Sequence, residues 1–395
     1  MTAELEDELR RVIERGSGLA PRAPRGLGAQ VAARSRRRRT RAHALVAAAA
    51  VMLVAGGVGA SVRLVGGDPQ PATPPLPAPT ASATTTAQAI PDPLEQVWPD
   101  AVWTMPAKLP GGRAFQPRIF LDDRTILLET WSSFEKADGV YAYDLETGDT
   151  RKITTIRTPK GVFASYYATD GKRLFWQTIE SKGTRFWSVP LSGGRPSPVG
   201  PLVKGGSDEL AVDGDKLAWS VSDGGVFTMP LTGGPPTPVP GAERLHILRW
   251  PWAGTPGDYT PDNETSFAEL LNTETGEKSV ALVRPGERNV RCGVTHCVGM
   301  VGRAWFYRLR DGSQERPLEQ SAGLGLAFDR FTTIMLADMQ GQALVDLFTG
   351  RSADLGLRFQ EKGSHVSIQP GIVRGRLIGY ELNGRYVIID LARIR

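Results

Sequence analysis

The amino-acid sequence predicts an all-β fold for residues 94–395, and three observations support this prediction. A short apolar strand, a glycine turn and a second strand recur along the chain. Tight turns join further strands upstream of most copies. All nine tryptophans lie in this part of the chain, which is therefore the part expected to build a hydrophobic core.

The repeat is clearest where an alternating apolar strand reaches a leucine, turns through a glycine and resumes as a shorter strand. These copies are VYAYDLETGDTRKI (140–153), RFWSVPLSGGRPSPV (185–199) and VFTMPLTGGPPTPV (226–239). Weaker copies lie at 267–282, 305–318 and 343–355. Successive turn glycines, from Gly148 to Gly350, are 46, 40, 42, 36 and 38 residues apart, which indicates one repeated structural unit.

A second strand pair precedes most copies. It occurs in YYATDGKRLFWQTIE (166–180), ELAVDGDKLAWSVS (209–222) and QPGIVRGRLIGYEL (369–382). The Asp-Gly steps supply the positive φ that tight hairpin turns require. Each unit therefore has four short antiparallel strands in about 40 residues, which is typical of one blade of a β-propeller.

The chain ends predict how the ring closes. Six full units follow from Pro117, and a seventh stops after three strands, HVSIQPG (365–371), RLIGYEL and RYVIIDL. The segment AVWTMPAKLPGG (101–112) contains Val-Trp-Thr-Met-Pro, which is similar to Val-Phe-Thr-Met-Pro of the third unit. We therefore predict a seven-bladed β-propeller closed by an N-terminal strand, since an unclosed ring would leave an exposed edge. Six or eight blades are the alternatives, because the fourth and sixth copies are loose.

The repeats at 140–239 resemble the TolB-type and WD40-type propellers of exported bacterial proteins. The domain organisation, with a membrane anchor before residue 94, is similar to that of single-pass membrane proteins of high-GC actinobacteria. The motifs are degenerate, because neither a Gly-His pair nor a Trp-Asp dipeptide marks the repeats. The resemblance implies binding or scaffolding, and a shared fold does not by itself determine function.

An arginine cluster and an apolar run predict the anchor. In RSRRRRTRAHALVAAAAVMLVAGGVGASVRLV (34–65), six arginines precede an uncharged stretch from Ala44 to Val62. That stretch is long enough to cross a hydrocarbon layer of about 30 Å. We predict a transmembrane helix at 44–65 with residues 1–43 in the cytoplasm and the C-terminal domain outside it. A cleaved export signal is the alternative, although the preceding head is long for one.

The charge distribution argues against nucleic-acid binding. The chain carries a net charge of +5, and residues 1–43 alone contain eleven arginines against five acidic residues. The remainder is therefore close to neutral, and no nucleic-acid partner is expected. Residues 66–93 are rich in proline, alanine and threonine, which predicts a disordered linker that holds the domain away from the membrane.

The cytoplasmic head contains one short amphipathic segment, residues 3–15. Its apolar face is formed by Leu5, Leu9, Val12 and Ile13. This face could hold a cytoplasmic protein partner at residues 1–20, such as a sigma factor. The alternative is a solvated tail whose arginines only set the topology.

Two cysteines, Cys292 and Cys297, flank a four-residue turn between the first two strands of the fifth unit. In an exported domain we predict a disulfide between them. Free thiols and a metal site are the alternatives, and a metal site would lack ligands because only His296 is near. We therefore predict no metal and no cofactor.

No catalytic residues are predicted. The sequence lacks HExxH, GxSxG, a Walker loop and GxGxxG. An enzyme whose catalytic side chains come from distant blades is the third interpretation of this chain, and a non-enzyme is favoured.

Two loops are candidates for ligand binding. The first, RWPWAGTPGDYTPDNETSF (249–267), is expected to be one long insertion in the fourth unit. Its candidate residues are Trp250, Trp252, Asp258, Tyr259, Asp262, Asn263 and Glu264. Aromatic rings beside carboxylates and amides suit sugars or a peptide, while tryptophans packed between blades are the alternative. A calcium site at Asp258, Asp262 and Glu264 is only weakly indicated.

The second candidate loop, ETWSSFEKADG (129–139), offers Trp131 and Glu135, with a solvated hairpin tip as the alternative. Together these observations predict an extracytoplasmic binding or scaffolding module whose ligand is an envelope glycan, peptide or protein. The rival prediction is a transmembrane signalling protein whose cytoplasmic head binds a regulator.

Overall fold

The computed structural model describes residues 90–133, 136–258, 264–318, 322–323, 325–336, 341–358 and 375–395. Within these ranges it contains 27 β-strands, one four-residue α-helix and two 3-10 turns, so the all-β prediction is confirmed. The predicted head, transmembrane helix and all but the last residues of the linker lie outside these ranges. No helix in the described part of the chain is long and apolar enough to span a membrane.

The described chain begins with α1 (Leu94–Val97), a 3-10 turn (Pro99–Ala101) and β1 (Val102–Pro106). Leu94 and Trp98 are buried in a cluster formed with the last two blades. This segment is therefore an integral part of the folded domain.

Seven sheets follow, numbered here as blades 1 to 7. Blade 1 comprises β2 (Lys108–Leu109), β3 (Arg113–Phe120), β4 (Thr125–Ser133), β5 (Lys136–Asp144) and β6 (Thr150–Thr155). Blade 2 comprises β7 (Phe163–Thr169), β8 (Arg173–Glu180), β9 (Gly183–Pro190) and β10 (Ser197–Val203). Blade 3 comprises β11 (Ser207–Asp213), β12 (Lys216–Val221), β13 (Val226–Pro230) and β14 (Thr237–Pro238).

The remaining blades follow the same plan. Blade 4 comprises β15 (His246–Arg249), β16 (Trp252–Thr255), β17 (Glu269–Asn272) and β18 (Lys278–Val280). Blade 5 comprises β19 (Glu287–Cys292), β20 (His296–Val301), β21 (Ala304–Leu309) and β22 (Arg316–Leu318). Blade 6 comprises β23 (Phe331–Met335), β24 (Gly341–Asp346) and β25 (Ser352–Arg358), and blade 7 comprises β26 (Leu377–Leu382), β27 (Arg385–Asp390) and β1.

Neighbouring blades pack through buried apolar side chains. Clusters of this kind join successive blades, including one between blades 6 and 7 and one between blades 7 and 1. The strand β3 contacts β7 and β26, and β11 contacts β7 and β15, so these strands lie where the blades converge. The fold is a seven-bladed β-propeller.

The strand β1 belongs to the last blade rather than the first. It pairs antiparallel with β27, with Val102 opposite Ile389 and Pro106 opposite Arg385. Met105 is 1% exposed and packs with Phe115 and Ile388, which belong to blades 1 and 7. The predicted strand HVSIQPG (365–371) lies outside the described residues.

The sequence repeat corresponds to the turn between the last two strands of a blade. In blade 1 the Asp144 carboxylate accepts hydrogen bonds from the N–H groups of Glu146 and Thr147 at 2.9 and 3.0 Å. Asn272 in blade 4 and Asp346 in blade 6 accept equivalent backbone bonds. A side chain that satisfies its own turn is therefore part of the repeat.

In three blades, an arginine that immediately precedes one strand forms an ion pair with the aspartate at the end of the following strand. The pairs are Arg124–Asp144 in blade 1, Arg330–Asp346 in blade 6 and Arg376–Asp390 in blade 7. Asp346 and Asp390 are fully buried, whereas the blade 1 pair is more exposed. These pairs attach the turn to the body of the blade.

The disulfide prediction is confirmed. Cys292 and Cys297 are directly opposite in the β19–β20 ladder and are joined by an S–S bond of 2.02 Å. Both cysteines are buried. The bond therefore holds the turn that leads into His296.

Candidate functional site

The predicted loop at 249–267 is divided by a strand. The strands β15 and β16 form a hairpin in which Arg249 is opposite Trp252, and a longer connection follows β16. This differs from the single insertion expected, because the residues that follow Trp252 in β16, Ala-Gly-Thr, carry little sequence signal for a strand. Gly254 has to be small, since a Cβ there would lie 2.4 Å from the Glu269 carbonyl oxygen.

The two tryptophans of this segment are each half-buried. Trp250 packs against the apolar cluster of blades 3 and 4, and its Nε1 donates to Asp213 Oδ2 at 3.2 Å. A hydrogen bond with Asp213 raises the pKa of Glu274, whose exposed carboxyl lies beside the same tryptophan. Trp250 therefore contributes to the contact between blades 3 and 4.

The polar candidates of the loop lie around a segment that the structure does not describe. Asp258 and Glu264 flank it, and Tyr259, Asp262 and Asn263 lie within it. The Glu264 carbonyl oxygen accepts a hydrogen bond from Arg291 Nη1 at 2.7 Å. No group of three or more His, Cys, Asp or Glu residues in the described ranges is arranged to hold a metal ion.

The second predicted loop contributes Trp131, whose Nε1 donates to Glu129 Oε1 at 2.7 Å. Glu129 is 1% exposed and also accepts from Arg118 Nη2 at 2.7 Å. Trp131 is thereby attached to a buried ion pair in blade 1. Glu135 lies outside the described residues.

A serine, an aspartate and a histidine meet between blades 3 and 4. Asp208 lies in the middle, with Ser220 Oγ 2.5 Å from Oδ1 and His246 Nδ1 2.7 Å from Oδ2. A nucleophilic triad requires the histidine between the other two, as the base that accepts the serine proton. The order here differs, and the Ser220 hydroxyl also accepts the Ile247 N–H at 3.1 Å, so the cluster joins two blades.

A recess of about 170 Å³ lies between blades 5 and 6. We call it the blade 5–6 recess. Its lining residues are His296, Tyr307, Leu309, Gln314, Arg316, Leu347 and Phe348. Blade 5 supplies the first five of these residues, and the turn of blade 6 supplies the last two.

Polar groups without partners converge on this recess. His296 is 6% exposed, and its buried Nδ1 has no hydrogen-bond partner within the described part of the chain. Arg316 is exposed and forms no ion pair with any described residue. A Cβ built on Gly350 would lie 3.7 Å from the Tyr307 hydroxyl and 3.8 Å from Arg316 Nη1, so these two groups approach the same point.

Phe348 forms the exposed wall of the recess. Its side chain is 53% exposed, and its ring lies 4.9 Å from the His296 ring, centroid to centroid. The Arg330 guanidinium also lies over this ring, with its Cζ 5.0 Å from the Phe348 ring centroid. Arg330 in turn donates to both Asp346 oxygens, at 2.6 and 2.7 Å, so the aromatic ring is held on a rigid support.

The ionisation states follow from the surroundings. Burial lowers the pKa of His296 below its usual value, and the opposing charge of Asp346 does not compensate, so the imidazole is neutral at pH 7. Burial alone would raise the pKa of Asp346. The hydrogen bonds from Arg330, Thr349 and the Phe348 N–H outweigh it and lower the pKa below the ordinary range.

Sequence reasoning identified His296 only as a poor metal ligand and missed the rest of the recess. One signal was present. The turn reads Asp-Leu-Glu-Thr-Gly in blade 1, Asn-Thr-Glu-Thr-Gly in blade 4 and Asp-Leu-Phe-Thr-Gly in blade 6. Phe348 thus replaces a glutamate at an exposed position of a polar turn, and this departure from the repeat is the signal that the sequence offered.

No family model matches the sequence, and no curated protein matches it. Among solved structures, one described as YCF48 bound to D1 peptide is similar, with 9% identity, a TM-score of 0.46, and coverage of 76% of this chain and 97% of that chain. An oligogalacturonate lyase from Vibrio parahaemolyticus has 12% identity and a TM-score of 0.40, covering 58% of this chain and 76% of that one. The computationally designed Ika8 protein has 10% identity and a TM-score of 0.37, covering 64% and 76%. Similarities of this size carry no information about function.

Proposed function

We propose that this chain is a membrane-anchored binding protein whose exported propeller holds an envelope ligand without changing it chemically. The candidate ligands are a glycan, a peptide or another protein. The observation that supports the proposal is the blade 5–6 recess, where polar side chains without partners among the described residues lie beside apolar walls. A concave site that combines apolar walls with a few polar groups is a common form of a binding site.

The proposed location rests on the N-terminal sequence and on the disulfide. The arginine cluster and apolar run predict a single span at 44–65 with the N-terminus in the cytoplasm. Structural disulfides form and persist in oxidising compartments, and the Cys292–Cys297 bond is consistent with an extracytoplasmic domain. The resemblance to TolB-type and WD40-type propellers and to actinobacterial membrane proteins belongs to the same proposal.

We also infer that β1 closes the ring. The five paired positions between β1 and β27 and the burial of Met105 between blades 7 and 1 support this inference. A closed ring holds its strands in a fixed arrangement before a ligand arrives. A preformed site loses less conformational entropy on binding, which favours recognition over catalysis that needs a moving lid.

In-cell photo-crosslinking tests the proposal. The full-length protein carries a photoreactive amino acid in place of Phe348, or, as a control, in place of Val301, which is also about half exposed but does not line the recess. We expect an adduct with envelope material from position 348 and none from position 301. Absence of any adduct from position 348, with the protein correctly folded in its membrane, would refute the proposed function.

A signalling role is the second candidate, because Leu5, Leu9, Val12 and Ile13 form an apolar face in the proposed cytoplasmic head. The double variant Leu9→Asp/Ile13→Asp separates the two functions. Loss of a cytoplasmic partner in a pull-down of the full-length variant would support signalling. An unchanged set of partners would leave the head as a topology signal.

A further inference from the structure

We propose that the blade 5–6 recess binds the C-terminal residue of a peptide chain, with its apolar side chain against Leu309, Leu347 and Phe348 and its α-carboxylate on Arg316 and Tyr307. This inference rests on the proposed binding function and specifies its ligand class.

The size of the recess indicates one side chain. A volume of about 170 Å³ is enough for one aliphatic or aromatic side chain. Leu347 is 2% exposed and Leu309 is half-buried, so they form apolar walls, while Phe348 covers the opening. An apolar side chain placed here would remove the exposed Phe348 ring from water as well as itself.

Two polar groups of the recess can donate hydrogen bonds toward one point. Arg316 carries only donors, and the Tyr307 hydroxyl can donate to the same point beside Gly350. Neither group forms a hydrogen bond with a described residue, so both are available to a ligand. Two donors that converge on one point beside an apolar cavity match a carboxylate attached close to an apolar side chain.

The carboxylates near the recess are already occupied. Asp346 accepts from Arg330 and Thr349, and Glu315 pairs with Arg284 and Arg308. Within the described ranges, the site therefore keeps an uncompensated positive charge at Arg316. The same ranges provide no free carboxylate at the recess to accept hydrogen bonds from sugar hydroxyls, which favours an anionic peptide end over a glycan.

The α-carboxylate fits this arrangement better than an acidic side chain. At a C-terminus the carboxylate and the side chain leave the same Cα, so both reach a single small site. His296 adds a ring that lines the same recess and is 6% exposed. Capture of chain termini is a recurring mode of peptide recognition.

The test compares two peptide probes on the full-length protein in detergent micelles by fluorescence polarisation. Both probes are fluorescein-labelled Gly-Ser-Gly-Ser-Ala-Leu, one with a free C-terminal carboxylate and one with a C-terminal amide. We expect the free acid to bind at least about tenfold more tightly than the amide. Equal binding of the two probes would overturn the inference, as would displacement of the probe by an N-acetylglucosamine trimer.

Variants assign the effect to the recess. Arg316→Met should reduce the preference for the free acid to less than about threefold. Arg195→Met, which removes another exposed arginine, from the turn of blade 2, should leave the preference unchanged. Phe348→Glu gives blade 6 the residue found at the same turn position in blades 1 and 4, so the fold is kept while binding of both probes is lost.

The outcomes distinguish this inference from the proposed function. If neither probe binds at concentrations up to about 1 mM, the C-terminal ligand is refuted, since even a weak site would be detected. An adduct from position 348 in cells would then leave the binding function standing with a different ligand. If neither probe binds and position 348 gives no adduct in cells, the proposed function and the C-terminal ligand are both refuted.

Discussion

Arg330 and Asp346 form a two-point ion pair at the base of the blade 6 turn, with Nε 2.6 Å from Oδ1 and Nη2 2.7 Å from Oδ2. Asp346 is fully buried, and the guanidinium lies over the Phe348 ring. The equivalent pair in blade 1, Arg124 and Asp144, is longer at 3.2 Å and more exposed. The same kind of ion pair thus supports the turn in both blades. In blade 6 it also supports Phe348, which forms a wall of the blade 5–6 recess.

The two pairs should differ in their effect on stability. Asp346→Asn removes one charge from a buried pair and leaves Arg330 without a counter-ion, so we expect the free energy of unfolding to fall by about 3 kcal/mol. Asp144→Asn alters a pair that solvent screens, so its loss of unfolding free energy should be clearly smaller. Chemical denaturation of both variants at pH 7 measures the difference. Equal losses would contradict this explanation.

The histidine of the recess predicts a pH effect on stability. The folded-state pKa of His296 lies below its unfolded value, so the unfolded chain binds a proton that the folded chain does not. Stability should therefore fall as the pH drops below about 6.5, the ordinary histidine value. His296→Gln removes this contribution. Wild type and variant are denatured between pH 7.5 and 5, values chosen to bracket about 6.5. The free energy of unfolding should decline less steeply in the variant. Parallel declines would mean that another group causes the pH effect.

The disulfide should stabilise the domain modestly because it closes a short loop. For a sequence separation of 5 residues, the chain-entropy relation gives about 2 kcal/mol. We expect the double variant Cys292→Ser/Cys297→Ser to lose this amount of unfolding free energy in denaturant. A reducing agent should produce a similar loss in wild type and none in the variant. Loss of folding in the variant would mean that the bond is required by the whole blade.

The inferred ring closure can be tested at Met105. This side chain is 1% exposed between blades 7 and 1, so Met105→Asp would bury a charge at the junction and should cost at least about 3 kcal/mol. Met229 is the corresponding residue of the similar strand in blade 3, is also 1% exposed and provides Met229→Asp as a reference. Thermal unfolding should show losses of similar size for both. A negligible loss at Met105 alone would refute closure through β1.

The parts of the fold that were predicted correctly depend on neighbours in sequence. Gly148, Gly276 and Gly350 each adopt a φ between 74° and 76°, and each follows an Asp or Asn that caps its own turn. The Cys292–Cys297 bond joins residues already opposite in one hairpin. Residue spacing in a two-stranded unit is sufficient to predict these features.

The blade 5–6 recess depends on a contact that residue spacing does not encode. His296 and Phe348 come from different blades, and their rings meet only after both blades have packed side by side. The strand Trp252–Thr255 was missed for a related reason, since Gly254 is required by its contact with Glu269 and contributes no pattern of its own. Local turn chemistry and strand alternation thus determined the repeat and the disulfide and favoured seven blades. Packing between blades decided which side chains share a site, because it joins residues that are distant along the chain.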